Sequence, residues 1–332
     1  MLTEIAIFVL NKKNNDMKLY EFDKYFPDEE SCKDRFKEIR DREGVTCPKC
    51  NCKKHYWKKS KEVYQCAKCG RRQSLKSHTV LHGSKLSFRY WFIAMHMLTA
   101  TKHSFSSAEL QRQLGHKRYQ PIWELSHKLR SVMGKREDEY TLRGHIELDE
   151  GFFTTYIPKN KKNEKLKAGA GSQRKTKVVV MAQTQEWLSP NKSQKPVKVS
   201  HIKMIVVDNL HSNTIATIAA NSIEKESSII TDASTSHVQF KNLFNEHRSQ
   251  VVKPEDIGNV LPWVHIAIGN AKTLLTDTHH GIKPEFLQGY LNEFCYKFNR
   301  RYFGERMFDR LMSISATYQS DFKHQIYNKN AA

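Results

Sequence analysis

The sequence of 332 residues lacks any apolar run long enough to cross a membrane. Its most apolar amino-terminal stretch, residues 5–10, is far shorter than the roughly 20 residues that a membrane-spanning helix needs. Lys12 and Lys13 follow this stretch, whereas a signal peptide carries its positive charge in front of its apolar segment. We therefore expect no membrane partner and no export, and we predict a cytoplasmic protein.

The sequence also has far fewer acidic than basic residues. The chain has 35 Asp and Glu against 55 Lys and Arg, which gives a formal net charge of +20. Each phosphate that Lys or Arg neutralises releases condensed counterions, so this excess favours a nucleic acid as the partner. The alternative is a basic protein that is merely soluble. The length suits two or three domains, and 39% hydrophobic residues allow at least one sizeable core.

Cysteines are few, and four of the seven form two C-x2-C pairs, Cys47 with Cys50 and Cys66 with Cys69. In a reducing compartment such pairs are typical of metal ligands rather than disulfides. Two cysteines in one tight turn aim both sulfurs at one ion, and two such turns complete the tetrahedron that Zn²⁺ prefers. The sequence therefore predicts a structural zinc site. Cys52 is either a competing ligand or, as we expect, a bystander.

The residues around these cysteines are basic and aromatic. Cations next to flat rings suit a phosphate backbone, and Tyr56 and Tyr64 are interleaved with the cations. The alternative is a solvated basic face around a purely structural zinc. The predicted DNA-binding residues of this region are Lys58, Lys59, Arg71 and Arg72.

Residues 86–134 show helical spacing of apolar residues. Residues 106–115 predict the first helix and turn of a helix-turn-helix, and residues 118–130 predict its recognition helix. That helix would offer Arg118, His127 and Lys128 to DNA. The alternative is a pair of helices that serves only the core.

The pattern changes after Gly144, where three β-prone segments precede alternating helix and strand. This order predicts a mixed α/β sheet with flanking helices, including a helix over residues 238–246. Asp149 and Asp232 each lie on an apolar strand. Side by side, they would repel each other at pH 7, and a divalent cation between them, Mg²⁺ or Mn²⁺, would resolve the repulsion. The alternative is that both aspartates only cap turns.

Taken in order, these features resemble the IS1595-family (ISXO2-like) insertion-sequence transposases. In that family a zinc ribbon precedes a DDE-type, ribonuclease-H-like domain. The matching segments are residues 26–29, the two cysteine pairs, and residues 82–86, 107–115, 147–150, 231–232 and 263–301.

The resemblance implies that Asp149 and Asp232 are the first two catalytic, metal-binding carboxylates. It also implies that Asn270 replaces the usual third carboxylate, with His265 as the alternative third ligand. Lys272 would touch the DNA backbone. Glu150 and Glu293 would be candidates for an extra carboxylate, although we expect Glu293 to be a charge on a helix surface.

The predicted architecture is a ribonuclease-H-like α/β domain, residues 144–312, preceded by a helical lead with the zinc ribbon, 17–80, and a helix-turn-helix-like domain, 81–140. Residues 313–332 form a tail, and residues 158–175 a basic loop along DNA. The predicted function is that of a transposase that binds the inverted-repeat ends of an insertion sequence in double-stranded DNA. With Mg²⁺ it would cut and join strands in the bacterial nucleoid.

Because two element ends must be paired, the resemblance also implies a homo-oligomer. Three alternatives stay open. The chain is a DNA-binding protein that has lost catalysis, a nuclease of the same fold that does not join strands, or a zinc-ribbon adaptor that acts through protein partners.

Overall fold

The computed structural model describes residues 21–157, 163–186, 197–251, 260–279, 281–304 and 306–322. The chain forms two compact units, and residues 133–299 make up the second one. The first unit combines the residues before that range with those that follow it. The predicted division into four parts stays a prediction. It differs from these two units because it places residues 300–312 with the sheet domain. Residues 17–20, 158–162 and 323–332 of the predicted segments lie outside the described residues.

The described part of the first unit begins with two helices and a small sheet. The helices are α1 (Phe22–Tyr25) and α2 (Glu29–Glu43), and the antiparallel strands are β1 (His55–Lys58), β2 (Val63–Cys66) and β3 (Arg72–Ser74). Asp28 caps α2 by accepting a hydrogen bond from the Ser31 N–H at 2.8 Å. The three short strands with their cysteine pairs form the predicted zinc ribbon.

Four further helices complete the described part of the first unit. They are α3 (Phe88–Ala100), α4 (Ser107–Leu114), α5 (Tyr119–Asp138) and α10 (Arg306–Thr317), of which α5 extends into the second unit. Helix α10 packs against α2 and α3. Its Phe308 lies in an aromatic cluster with Phe22, Phe26 and Phe92. This packing explains why the chain after residue 299 joins the first unit.

The second unit contains a five-stranded mixed sheet. Its strands, in chain order, are β4 (His145–Thr154), β5 (Lys175–Glu186), β6 (Val197–Val207), β7 (Ser228–Asp232) and β8 (Glu246–Gln250). The spatial order is β6-β5-β4-β7-β8, with the first three antiparallel and the β4–β7 and β7–β8 pairs parallel. This topology confirms the predicted ribonuclease-H-like fold.

Helices cover both faces of this sheet. Ile146 and Leu148 of β4 lie in the core with α6 (Ser212–Ser222) and α7 (Phe240–Leu243). The opposite face packs against α8 (Pro262–Thr278) and α9 (Pro284–Asn299). Because side chains alternate along a strand, Glu147 and Asp149 point towards the α8 side. No helix in the described part of the chain is long and apolar enough to cross a membrane.

The helix predicted over residues 238–246 is wrong beyond its first turn. The structure contains only the short α7, and β8 follows it at the edge of the sheet. Most of β8 is polar and half-buried or exposed, so it lacks the alternating apolar pattern that identifies a strand.

Helix α8 is anchored by a carboxylate on β4. The Glu147 Oε2 atom accepts hydrogen bonds from the N–H groups of Trp263 and Val264 at 2.8 and 2.9 Å. The residue before the helix, Leu261, offers no side-chain cap, so Glu147 satisfies two amides that would otherwise have no partner in the helix. Burial raises the pKa of Glu147, and these two amides oppose that rise.

We expect Glu147→Ala to lower the free energy of unfolding by about 1–3 kcal/mol, because it leaves buried helix amides without an acceptor. Glu147→Gln is the matched control: it keeps an acceptor oxygen and should lose clearly less. Urea denaturation of the full chain, followed by tryptophan fluorescence, measures both. Equal stability of wild type and Glu147→Ala would show that α8 does not depend on this contact.

Candidate active site and zinc centre

Four cysteine sulfurs converge in the ribbon. The Sγ atoms of Cys47 and Cys69 lie 3.5 Å apart, as do those of Cys50 and Cys66, and all four lie within 4.8 Å of one another. A tetrahedral zinc ion with Zn–S bonds of about 2.3 Å needs sulfurs roughly 3.8 Å apart. The cluster therefore fits one zinc ion.

The two cysteine turns have the same backbone design. The Asn51 N–H donates to Cys47 O at 2.9 Å, and the Gly70 N–H donates to Cys66 O at 3.0 Å. Both donors have positive φ, 54° and 70°, which asparagine and glycine tolerate best. Backbone amides of Cys69 and Lys68 favour the Cys66 thiolate and lower its pKa to about 6. This prepares the sulfur to bind a cation.

We expect Cys66→Ser to reduce bound zinc well below the about one ion per chain of wild type, and to open the ribbon to protease. Cys52→Ser is the matched control, because the Cys52 thiol contacts the backbone of Lys54 and is not part of the four-sulfur cluster. Metal analysis and limited proteolysis provide the readouts. Full zinc content in Cys66→Ser would contradict this ligand assignment.

The predicted DNA-binding cations of the ribbon lie on its surface. Lys58, Lys59, Arg71 and Arg72 are all exposed. Tyr64, interleaved with them in the sequence, is instead buried and donates a hydrogen bond to Asp41 at 2.7 Å. Its ring belongs to the packing between the ribbon and α2. A contact of these cations with DNA stays a prediction.

The helix-turn-helix is formed by α4 and α5. Gly115 ends α4 with φ of 62°, as its position in the sequence indicated, and Arg118 in the turn is exposed. Further along α5, His127 is buried, and the Lys128 ammonium group donates to the backbone oxygen of His82 at 3.0 Å. Of the three residues predicted to contact DNA here, the fold therefore exposes Arg118 and uses His127 and Lys128 within the protein.

The two predicted catalytic aspartates lie side by side. Strands β4 and β7 are parallel and pair Leu148 with Thr231, so Asp232, the last residue of β7, lies beside Asp149 in the middle of β4. Burial and the negative charges of Asp232 and Glu150 raise the pKa of Asp149 to about 6. Burial is the largest cause, and the charges of Asp232 and Glu150 add the repulsion between carboxylates that the sequence predicts.

A histidine that the sequence analysis did not assign bridges the acidic groups. His237 Nδ1 lies 3.0 Å from Asp232 Oδ1, and its Nε2 lies 3.1 Å from Glu150 Oε1. These are ion-pair distances without good hydrogen-bond angles. Burial alone would lower the pKa of His237, but the two carboxylates outweigh burial and raise the pKa to about 9. Its charge therefore balances part of the acidic cluster.

Two features of the sequence point to the cluster of Asp232, Glu150 and His237. His237 follows the strand-end Asp232 by five residues and lies in a short 3-10 turn, which brings it back to the carboxylate. Glu150, which the family resemblance makes a candidate for an extra carboxylate, offers a ligand atom within 4.8 Å of those of Asp232 and His237. Glu293 is buried and lies 3.8 Å from the Lys297 ammonium, so its expected place on a helix surface is wrong.

Helix α8 places the two candidates for the third ligand differently. His265 Nδ1 lies 3.6 Å from Asp149 Oδ2. Its Nε2 atom is buried without a hydrogen-bond partner among the residues that the structure describes. Burial lowers the pKa of His265, which favours the neutral imidazole that binds metals.

Asn270 is exposed and lies about 140° around α8 from His265, since consecutive residues turn by about 100°. Lys272, seven residues after His265, returns to nearly the same side of the helix. Its ammonium group lies 5.7 Å from the centre of the Phe153 ring on β4. His265 and Lys272 therefore share the edge of α8 that faces β4, and Asn270 does not.

Two family models match the chain. The transposase zinc-ribbon domain matches residues 27–72, and the ISXO2-like transposase domain matches residues 141–299. The chain belongs to the ISXO2-like transposases. Together the two matches cover more than half of this transposase, and they stand in the predicted order. The transposase-domain match contains both aspartates, His237 and His265, and it ends at the same residue as the second unit. No curated protein matches the chain.

We expect Asp149→Asn to stabilise the transposase when no divalent cation is added. The pKa of Asp149 rises from 3.8 to about 6 in the fold, so its ionised form opposes folding at pH 7. The gain should be about 1–3 kcal/mol at pH 7. It should be absent below pH about 4, where both states are protonated, and should grow until pH passes about 6.

Urea denaturation across this pH range measures the difference between the two proteins. A variant that is equally or less stable than wild type at pH 7 would contradict a destabilising charge at this position.

Proposed function

We propose that this transposase cuts DNA at the ends of its mobile element and joins the freed strands to a target, using Asp149 and Asp232. The observation that carries the proposal is the parallel pairing of β4 with β7, which sets two carboxylates side by side. Holding like charges together costs stability, so the arrangement calls for a cation.

The donor set suits Mg²⁺ or Mn²⁺. Carboxylate oxygens are the preferred ligands of both ions. Asp149 and Asp232 would hold the ion, and Glu150 lies close enough to Asp232 to assist. When bound, such an ion lowers the pKa of an attacking water or hydroxyl group and neutralises charge at phosphorus.

We propose His265, rather than Asn270, as the third group of the site. His265 lies beside Asp149 and has a buried ring nitrogen without a partner in the described chain, whereas Asn270 is exposed on another side of α8. Lys272 lies on the same edge of α8 as His265. Its ammonium group would pair with a phosphate next to the reacting one.

DNA binding is assigned to the first unit. The exposed cations of the ribbon, Lys58, Lys59, Arg71 and Arg72, would contact phosphates, and Arg118 would act at the amino-terminal end of α5. Lys128 is tied to His82 and would position the helix more than it contacts DNA. Because two element ends must be held together, we propose a homo-oligomer that works on the DNA of the bacterial nucleoid.

A strand-transfer assay with labelled ends of the encoding element tests this function. We expect Asp149→Asn and Asp232→Asn to bind the ends as wild type does, but to lose about 100-fold or more of the joining rate. His265→Ala should lose about tenfold or more, and the matched variant Asn270→Ala about threefold or less.

Each other outcome has a definite meaning. Wild type that binds the ends but neither cuts nor joins with Mg²⁺ or Mn²⁺ would leave a DNA-binding protein without catalysis. Cutting without joining of pre-cut ends would identify a nuclease. Weak dependence of DNA binding on salt would favour an adaptor that acts through proteins. A large loss in Asn270→Ala with none in His265→Ala would reverse the choice of third group.

A further inference from the structure

The turn that follows α9 along the chain, residues 300–304, exposes two large rings. Tyr302 is 62% exposed and Phe303 is 38% exposed. Both lie in the first unit and outside the segments that match the two family models. Burying an aromatic ring stabilises a fold, and these two adjacent rings forgo that gain. Their exposure therefore indicates a surface that binds a ligand.

Three arginines surround these rings. The Arg301 guanidinium lies 4.4 Å from the centre of the Tyr302 ring, and those of Arg306 and Arg310 lie 5.9 and 5.8 Å from the Phe303 ring. We call these five residues the aromatic–arginine patch. Asp309, on the same helix, forms an ion pair with Arg35 at 3.3 Å. The patch therefore combines flat rings with positive charge.

The patch is built on a fixed scaffold. Arg306 and Arg310 are exposed on α10, whereas Met307, Phe308 and Leu311 of the same helix are buried. The turn is closed by a hydrogen bond from the Phe303 N–H to Arg300 O at 2.8 Å. A backbone held in this way has little conformational entropy to lose when a ligand binds.

We propose that the aromatic–arginine patch binds unpaired bases of DNA. The exposed rings would stack on base faces, and the guanidinium groups would pair with the adjoining phosphates. A duplex hides its base faces within the helix, and contact with its backbone would require only the cations. The exposure of both rings therefore favours an unpaired strand over a duplex.

This inference rests on the proposed function for its ligand class, because cutting strands creates free ends whose terminal bases can unpair. It does not involve the carboxylates of β4 and β7. The competing account is that the arginine–ring contacts are only surface packing, in which case removing the rings would leave DNA binding unchanged.

Fluorescence anisotropy with the full chain tests the patch, using a labelled oligo(dT) strand and a blunt duplex as probes. We expect the double variant Tyr302→Ala/Phe303→Ala to weaken oligo(dT) binding about tenfold or more, since each stacked base contributes measurably. Duplex binding should change by about twofold or less, because the arginines stay in place. The matched control, Tyr302→Phe/Phe303→Tyr, keeps both rings and should bind as wild type does.

Thermal melting checks that the double variant is folded. We expect it to melt as wild type does, because both rings are exposed and contribute little to the core. If it binds oligo(dT) as wild type does, or loses duplex binding to the same extent, the patch is not a site for unpaired bases. If wild type binds the duplex but not oligo(dT), the inference fails and the proposed function stands. If wild type binds neither probe, both fail.

Discussion

The parallel register between β4 and β7 is the constraint on which the candidate active site depends. It pairs Leu148 with Thr231 and so brings Asp149 next to Asp232. A shift of one residue would send the strand's side chains to the opposite face of the sheet. The same strand carries Glu147, which holds the start of α8, and α8 in turn brings His265 beside Asp149. Strand β4 thus positions Asp149, the start of α8 and, through α8, His265.

The charge balance of this site is incomplete in the protein alone. His237 offsets part of the negative charge on Asp232 and Glu150, but Asp149 keeps a raised pKa. A fold that retains such a carboxylate gives up stability, and this is common where side chains are arranged for chemistry rather than packing. The raised pKa of Asp149 and the His265 ring nitrogen, which has no hydrogen-bond partner within the described chain, both support the proposed cation site.

Local patterns in the sequence predicted the features that depend on nearby residues. The cysteine spacing indicated the zinc cluster, Gly115 marked the end of α4, and apolar runs identified the strands that carry Asp149 and Asp232. Features that depend on tertiary structure were missed. Strand β8 is polar because it lies at the edge of the sheet, and the role of His237 requires a turn that folds back on Asp232.

The family resemblance favours Asn270 over His265 as the third group, and this choice stays a prediction. Our preference for His265 depends on the rotation of α8 relative to β4, which is fixed by contacts that no sequence spacing reveals.

The central claim is that Asp149 and Asp232 together bind a divalent cation. Anomalous X-ray scattering from crystals grown with Mn²⁺ tests it most directly. We expect an anomalous peak within ligand distance of both carboxylates, with His265 turned towards it, and no such peak in Asp149→Asn. A peak bound by other residues, or none at these two aspartates in a well-ordered wild-type crystal, would contradict the account.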